Sequence, residues 1–599
     1  MSPGSYKLEG IGVSAGFAFG RAHFVDRSEL PIPHLHISVE DIADEVERFE
    51  EARTISCTQL EALKHQMQNA GEEHYLILDT HLLMLADPTL IDGARRLIRE
   101  EGYNAEWALH KHAQEVLQLF EHQEDIYFQE RRADIGFVVD RFMRNLLGAD
   151  QPNLDNVNAG DIVIARDLSP SDMASLVNSG VAGFVTEVGG QTSHTAIMAR
   201  SIELPAVVAV EGLTDRIATG DNLIVDAGRG AVLVNPPESE IARLKALAGE
   251  YAARKADIDA HSHEGSVTQD GVDIAIWGNI ESSDEAEVIL DHGASAVGLF
   301  RTEYLFIGRR KMPDEEEQYE HYRKVVETLG TRVATIRTID LGGDKFAENL
   351  RVTDEANPAM GTRAIRFCLT RAPMLFRTQL RALLRAAAHG KLRVMIPFIN
   401  NLAEVKEAKA ILEDVRQELI SESVAIGTVE FGIMVELPAA ALLVDILAQE
   451  VDFLSIGTND LIQYSLGVDR ANPNVAYLYA AEHPAILRLI QHVLDKVPTA
   501  ESHVSMCGEM AGYPHSVPLL IGMGLRTLSV SPTAIPLVKA MIRELSLPDC
   551  EALAADIFGL HEAESIRRRL FLFMKTQYEN TKLSPILKPL WSPALKSKV

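Results

Sequence analysis

The sequence predicts an α/β chain: an α/β domain interrupted by a helical bundle, a helical linker, and a C-terminal (β/α)8 TIM barrel. Two patterns predict it. From residue 270 onward, short apolar runs alternate with helical segments eight times over about 300 residues, the pattern of a parallel barrel. Ahead of that, strand-like runs lie on both sides of about a hundred residues of helical periodicity, as when a bundle is inserted into a surface loop of another domain.

The Gly-punctuated apolar run of residues 6–25 reads as two short strands. Pro31 and Pro33 then mark a linker, Ser38 and Asp41 resemble a capping box, and Ile42, Val46, Phe49, Leu60, Leu63 and Met67 follow at helical spacing. His74 to Asp87 reads as a further amphipathic helix, and Ala105 to Leu147 as one or two long ones. Strand-like runs return at 161–165, 181–188, 206–210, 222–226 and 231–234. Pro236-Pro237 end that domain, and Glu238 to Ala260 is a charged helix with a narrow stripe of Ile241, Leu244, Leu247 and Tyr251. Flanked by Pro-Pro and by the polar stretch 261–265, it suits a connector between two bodies. The barrel strands are expected at 272–278, 296–300, 333–339, 393–397, 432–435, 453–456, 504–506 and 527–530.

Composition narrows the function. Apolar residues make up 46% and charged residues 24%, as in a globular protein, and a net charge of −29 argues against a nucleic-acid partner. The apolar run Leu437 to Val444 is far too short to span a bilayer, and the first ten residues lack a basic stretch followed by an apolar core, so neither membrane insertion nor a secretory signal is expected. The four cysteines, Cys57, Cys368, Cys507 and Cys550, are widely spaced and read as reduced thiols of a cytoplasmic protein.

Two places carry chemistry. In Gly189-Gly-Gln-Thr-Ser-His194, glycines break a strand and Thr192 or Ser193 can cap the helix that follows. His194 then stands where unpaired N–H groups favour an anion and a neutral imidazole, and it is open whether it carries a phosphoryl group or is a surface histidine in a βα turn. The second place is the set of C-terminal strand ends, where a barrel builds its active site. Arg301, Arg337-Thr-Ile-Asp340, Glu436, Thr458-Asn459-Asp460 and Cys507-Gly-Glu509 lie there, with Arg470 in a nearby loop. Three arginines suit phosphate and carboxylate groups, and Glu436 with Asp460 are hard oxygen donors of the kind that hold Mg2+ together with substrate oxygens. A small, doubly anionic substrate bridged by Mg2+ is the local inference. Cys507 reads either as a core thiol or as an acid or nucleophile.

At this point GGQTSHTAIMARSIELPAVV, GLFRTEYLF, TIDLGGDK, GIMVELPAA, IGTNDLIQYSLGVDR and CGEMAG resemble the enzyme I family of the bacterial phosphoenolpyruvate-dependent sugar phosphotransferase system, over roughly residues 5–575 and in the same order. The resemblance implies a swivelling phosphohistidine α/β domain formed by 1–30 and 148–236, a helical subdomain at 31–147, a helical linker at 237–268, a phosphoenolpyruvate-binding barrel at 269–578 and a disordered tail at 579–599. It implies that His194 takes the phosphoryl group from phosphoenolpyruvate, releasing pyruvate, and passes it to a histidine of the carrier protein HPr. Arg301, Arg337, Asn459, Asp460 and Arg470 then bind substrate, Glu436 and Asp460 bind Mg2+, and Cys507 donates the proton to the enolate carbon. The helical subdomain docks HPr through Glu72 to Leu85 and Arg131, and the barrel forms a homodimer. A regulatory phosphorelay paralogue signalling to non-sugar targets is the alternative. Two departures stand out. Gln191 occupies the place where the family has Arg, and the lysine- and proline-rich tail runs past the family's end.

Overall fold

The computed structural model describes residues 5–14, 16–25, 31–66, 81–82, 84–121, 126–149, 157–169, 172–173, 176, 179–190, 194–306, 312–342, 355, 357–470, 472, 475–497 and 503–588. The chain forms two compact units that meet in sequence between Glu250 and Tyr251.

The first unit is built on an eight-stranded sheet. Its strands are β1 (Tyr6–Glu9), β2 (Ile11–Gly12), β3 (Phe17–Phe24), β4 (Ile162–Ala165), β5 (Gly183–Thr186), β6 (Ala206–Val208), β7 (Asn222–Asp226) and β8 (Ala231–Val234), in the order β1-β8-β7-β3-β4-β5-β6-β2. The N-terminal run thus gives three strands rather than two. β3 to β6 pair in parallel, whereas β3, β7, β8 and β1 pair antiparallel. Alternate residues of a strand face opposite sides of a sheet. Accordingly Val163, Phe184 and Val208 join one apolar cluster, and Ile162, Ile164, Val185 and Val207 join another on the opposite face.

Between β3 and β4 the chain leaves the sheet for helices Ile42–Gln66, Pro88–Glu101, Ala105–Glu121 and Ile126–Leu147. Their core includes Phe49 against Phe142, with ring centroids 4.8 Å apart. It is continuous with one face of the sheet. The capping arrangement at Ser38 is real in part, since its hydroxyl donates to Asp41 at 2.7 Å. The helix expected at 74–87 falls mostly outside the described residues.

Helix Glu238–Ala260 has the bounds its charge pattern predicts. The second unit is a closed, all-parallel barrel of β9 (Ala275–Ile280), β10 (Val297–Arg301), β11 (Val333–Arg337), β12 (Lys391–Ile396), β13 (Val429–Val435), β14 (Phe453–Ile456), β15 (His503–Met506) and β16 (Thr527–Val530), with β16 closing onto β9. Such strands are buried on both faces, which is why they read as apolar runs rather than alternating ones. Arg393, early on β12, is buried between aromatic rings, its guanidinium 5.5 Å from the Trp277 ring and 5.1 Å from the Phe453 ring. Leu299, Met395, Met434, Phe453 and Cys507 form an apolar cluster of their own.

The tail is packed further than its composition suggests. Expected to be disordered from 579, it continues as structure through residue 588, where helix Ser584–Leu587 buries Leu587 fully and Leu583 lies almost fully buried. Lysines and prolines make up seven of residues 581–599, but two leucines at helical spacing are enough to anchor a turn. Residues 589–599 lie outside the described set.

Candidate active site

His194 is the first residue of helix His194–Ser201, which follows β5 and the turn at Gly189, a glycine with φ +121°. A positive φ is what lets a glycine make that turn. The helix is tied down by Thr195, whose hydroxyl donates to the Leu168 carbonyl at 3.1 Å, and by buried Ala196, Met198 and Ala199. The His194 side chain and residues 191–193, including both capping candidates and Gln191, lie outside the described set. So does most of Glu72 to Leu85, and so does the Arg131 side chain, on helix Ile126–Leu147.

The barrel rim is a network of buried charges. Arg301, ending β10, meets Glu281 at 2.5 Å. Arg337, ending β11, meets Glu303 at 3.1 Å and Asp340 at 3.0 Å. Burial alone would lower its pKa, but Glu303, Asp340 and Glu436 outweigh that and raise it. Arg470 is half-exposed and lies 4.0 Å from Asp460. Asn459 and Asp460 sit in the first turn of helix Thr458–Leu466, which leaves β14.

At the centre of this network is a residue to which the sequence assigned no role. Arg363 donates to both oxygens of Asp340 at 3.0 Å each, to Asp460 at 2.9 Å and to the Tyr464 hydroxyl at 3.0 Å. Its guanidinium lies 4.5 Å from the centre of the Phe398 ring. Arg363 comes well after β11 in the chain and pairs with Gly342, just beyond β11, through an isolated bridge. Its neighbour Ala364 has φ +51° and Phe398 has φ +60°. Non-glycine residues held in that region are strained, and such strain gathers at functional sites.

Asp340, Glu436 and Asp460 are all buried, and each offers an oxygen within 4.8 Å of the others. Glu436 accepts from the Phe398 backbone N–H at 2.6 Å. Burial pushes its carboxyl well above the ordinary carboxylate range, and the charges of Asp340 and Asp460 push it further, against the pull of Arg337 and Arg363. Three buried carboxylates this close call for a proton or a cation, so the donor set fits a divalent metal. Asp340 has both oxygens on Arg363, whereas Glu436 commits one to Phe398 and Asp460 commits one to Arg363. Among the described residues, this leaves Glu436 and Asp460 the better placed to ligate, with Asp340 beside them.

Cys507 follows β15 and is buried. Its Sγ points at the Ile456 carbonyl, 3.8 Å away. Burial raises its pKa despite the nearby Arg337, so the thiol holds its proton at neutral pH. That is the state a proton donor needs and a nucleophile does not.

Comparison with known proteins then bears on what this arrangement is for. A family profile described as the PEP-binding domain of PEP-utilising enzymes matches residues 255–547, the N-terminal domain of the same enzymes matches 9–131, and their mobile domain matches 157–230. The phosphoenolpyruvate-protein phosphotransferase of Bacillus sp. (strain S) is 41% identical over 93% of this chain and 96% of its own length. The protein of that name from Bacillus subtilis (strain 168) is 40% identical over 94% of this chain and 98% of its own. That from Enterococcus faecalis (strain ATCC 700802 / V583) is 41% identical over 92% and 96%.

Proposed function

Because the chain belongs to the phosphoenolpyruvate-protein phosphotransferase family, we propose that its two units divide one phosphoryl relay, loaded at the barrel rim and discharged from His194. The reaction is phosphoenolpyruvate-dependent phosphotransfer, the first step of the sugar phosphotransferase system. Phosphoenolpyruvate sits at the rim, its phosphate and carboxylate held by Arg301, Arg337 and Arg470, with Asn459 donating alongside. The His194 imidazole attacks phosphorus and the bond from phosphorus to the enol oxygen breaks. The enolate that leaves takes a proton at its methylene carbon from the Cys507 thiol, giving pyruvate. Phosphohistidine then passes the phosphoryl group to a histidine of HPr, docked on the helical subdomain at 31–147. Helix Glu238–Ala260 is the connector about which His194 changes partners.

The metal is Mg2+, held by Glu436 and Asp460 with Asp340 beside them, and when bound it supplies positive charge to the phosphoryl and carboxylate oxygens. The arginines act in the same sense: phosphoryl transfer needs positioning and charge neutralisation more than covalent help. We also propose a homodimer through the barrel. Leu442, Leu443 and Ile446, on and between the short helices Pro438–Leu442 and Val444–Leu447 after β13, are exposed apolar residues that a second copy would cover. Among the described residues no helix is long and apolar enough to cross a membrane. The proposed site of action is the cytoplasm.

The observation that carries this reading is the carboxylate triad, with Asp340 and Asp460 paired to arginines, at the C-terminal rim of a closed parallel barrel. It is tested by intact mass after mixing the protein with phosphoenolpyruvate and Mg2+, without carrier, and mapping the modified peptide. One phosphoryl group on His194, absent in His194→Ala, is expected. An unmodified His194 with the rim residues intact would overturn it.

A further inference from the structure

The loops after β14 and β15 touch backbone to backbone. A Cβ on Gly508 would lie 1.8 Å from the Thr458 hydroxyl and 2.5 Å from its backbone nitrogen, so the approach requires a glycine. Across that contact two hydrogen bonds join Asn459 to Glu509. The Glu509 backbone N–H donates to Asn459 Oδ1 at 3.0 Å, and Asn459 Nδ2 donates to Glu509 Oε1 at 3.2 Å. An amide can point either way unless its partners decide. Here a donor faces the oxygen and an acceptor faces the nitrogen, so one orientation is fixed and the second amide hydrogen remains to be offered. The other carboxylate oxygen, Oε2, accepts from the Tyr513 hydroxyl at 2.9 Å. Burial raises the Tyr513 pKa and the charge of Glu509 raises it further, so this hydroxyl stays a donor. The Tyr513 ring in turn stacks on His515, centroids 5.7 Å apart, and His515 meets Glu482 at 2.8 Å. Tyr479 holds the Asn459 backbone carbonyl at 3.2 Å.

We propose that Glu509, braced by Tyr513, is the positioning residue that orients the Asn459 amide toward substrate. This rests on Asn459 binding phosphoenolpyruvate, as proposed above. Glu509 itself is exposed at the rim and negative, which suits a residue that acts on the trianionic substrate through a neutral amide rather than by direct contact.

The test is steady-state pyruvate release from phosphoenolpyruvate with HPr in excess, for single and double variants whose thermal unfolding matches the parent. Asn459→Ala is expected to raise KM for phosphoenolpyruvate strongly. Glu509→Ala is expected to raise it about tenfold, with kcat within about twofold of the parent. Glu509→Gln, which keeps an oxygen for Asn459 Nδ2, is expected to recover most of that loss. Tyr513→Phe is expected to raise KM roughly two- to threefold. The double variant Asn459→Ala, Glu509→Ala is expected to be no worse than Asn459→Ala alone, since the second change then has nothing left to orient. If the two effects multiply, Glu509 acts elsewhere and the positioning role is wrong, while the substrate role of Asn459 stands. If Asn459→Ala leaves KM unchanged, both fall.

Discussion

Replacing Arg363 by Met removes a charge while keeping most of the side-chain length, and the structure gives a sign and a size for the result. Three charge-assisted hydrogen bonds to Asp340 and Asp460 are lost, along with the one to Tyr464. These do not simply add. Breaking a buried ion pair from one side costs about 3–5 kcal/mol, because the remaining carboxylates are left buried without a partner. For a body of about 340 residues, with about 2.1 cal/mol/K of unfolding entropy per residue, that corresponds to a drop of roughly 4–7 °C in the unfolding temperature of the barrel. The same removal should tighten binding of a divalent cation, which now meets the carboxylates without a competing guanidinium. If affinity rises about tenfold, the stabilisation at saturating metal grows by about 1.4 kcal/mol, and the gap between variant and parent narrows by about 2 °C. Scanning calorimetry of the full chain, in chelator and in saturating Mg2+, reads both numbers. Arg363→Lys keeps the charge without the fork, and is expected to lie between the two proteins in chelator. A variant that melts within about 1–2 °C of the parent in chelator, or a gap that Mg2+ widens, would refute the reasoning; the first threshold is about the scatter expected for a surface substitution.

Other substitutions probe separate parts of the molecule. Gly508→Ala forces a methyl group onto Thr458 and should cost about 1–3 kcal/mol of barrel stability while raising KM for phosphoenolpyruvate at least about tenfold; parental kinetics would contradict the close approach. Burial alone would raise the pKa of Glu482, but its hydrogen bond and charge interaction with His515, together with Arg567, hold it down to about 2. A carboxyl depressed in the folded state stabilises the fold above its unfolded pKa and loses that contribution as pH falls through the folded value. Glu482→Gln should therefore cost on the order of 2–3 kcal/mol at about pH 7 and progressively less from about pH 4 downward, as read by denaturant unfolding at several pH values; an equal cost at about pH 2 would exclude the pairing. Leu442→Asp with Ile446→Asp should shift the protein from dimer to monomer in sedimentation velocity, and an unchanged sedimentation coefficient would place the interface elsewhere.

What could be seen in the sequence follows from how local each signal is. Phe453–Ile456 and Thr527–Val530 have the bounds expected of them, because a strand buried on both faces carries apolar or small residues, buried Ser455 and Ser529 included. β9 begins at Ala275 rather than at Val272, since apolar residues precede the first ladder pairing there. Arg301 and Arg337 could be picked out because they end strands that are themselves visible as apolar runs. Arg363 could not: it ends no strand and is set beside Gly342 by an isolated bridge between residues well separated in sequence. Asp340 was visible at a strand end, but its place beside Glu436 and Asp460 is a sum over three separate strand ends that no single motif contains. Tyr513 gave no signal, because a Glu and a Tyr four residues apart are an ordinary local pair, and only the close approach of Gly508 to Thr458 brings that pair to bear on Asn459.

The charge balance of the rim explains why these residues depend on one another. Among the described residues, Glu303, Asp340, Glu436 and Asp460 are four buried carboxylates in one network, and Arg337 and Arg363 are its two largely buried guanidiniums. Four less two leaves two negative charges, because Arg301 is engaged by Glu281 and Arg470 stands half in solvent. Uncompensated charge in such a place is expensive, and the raised pKa of Glu436 is one way to relieve it, by taking up a proton. A divalent cation relieves the whole deficit and leaves Glu436 ionised. The site is therefore balanced only when loaded, and Arg470, half in solvent outside the network, is then the group with charge to offer an incoming anion.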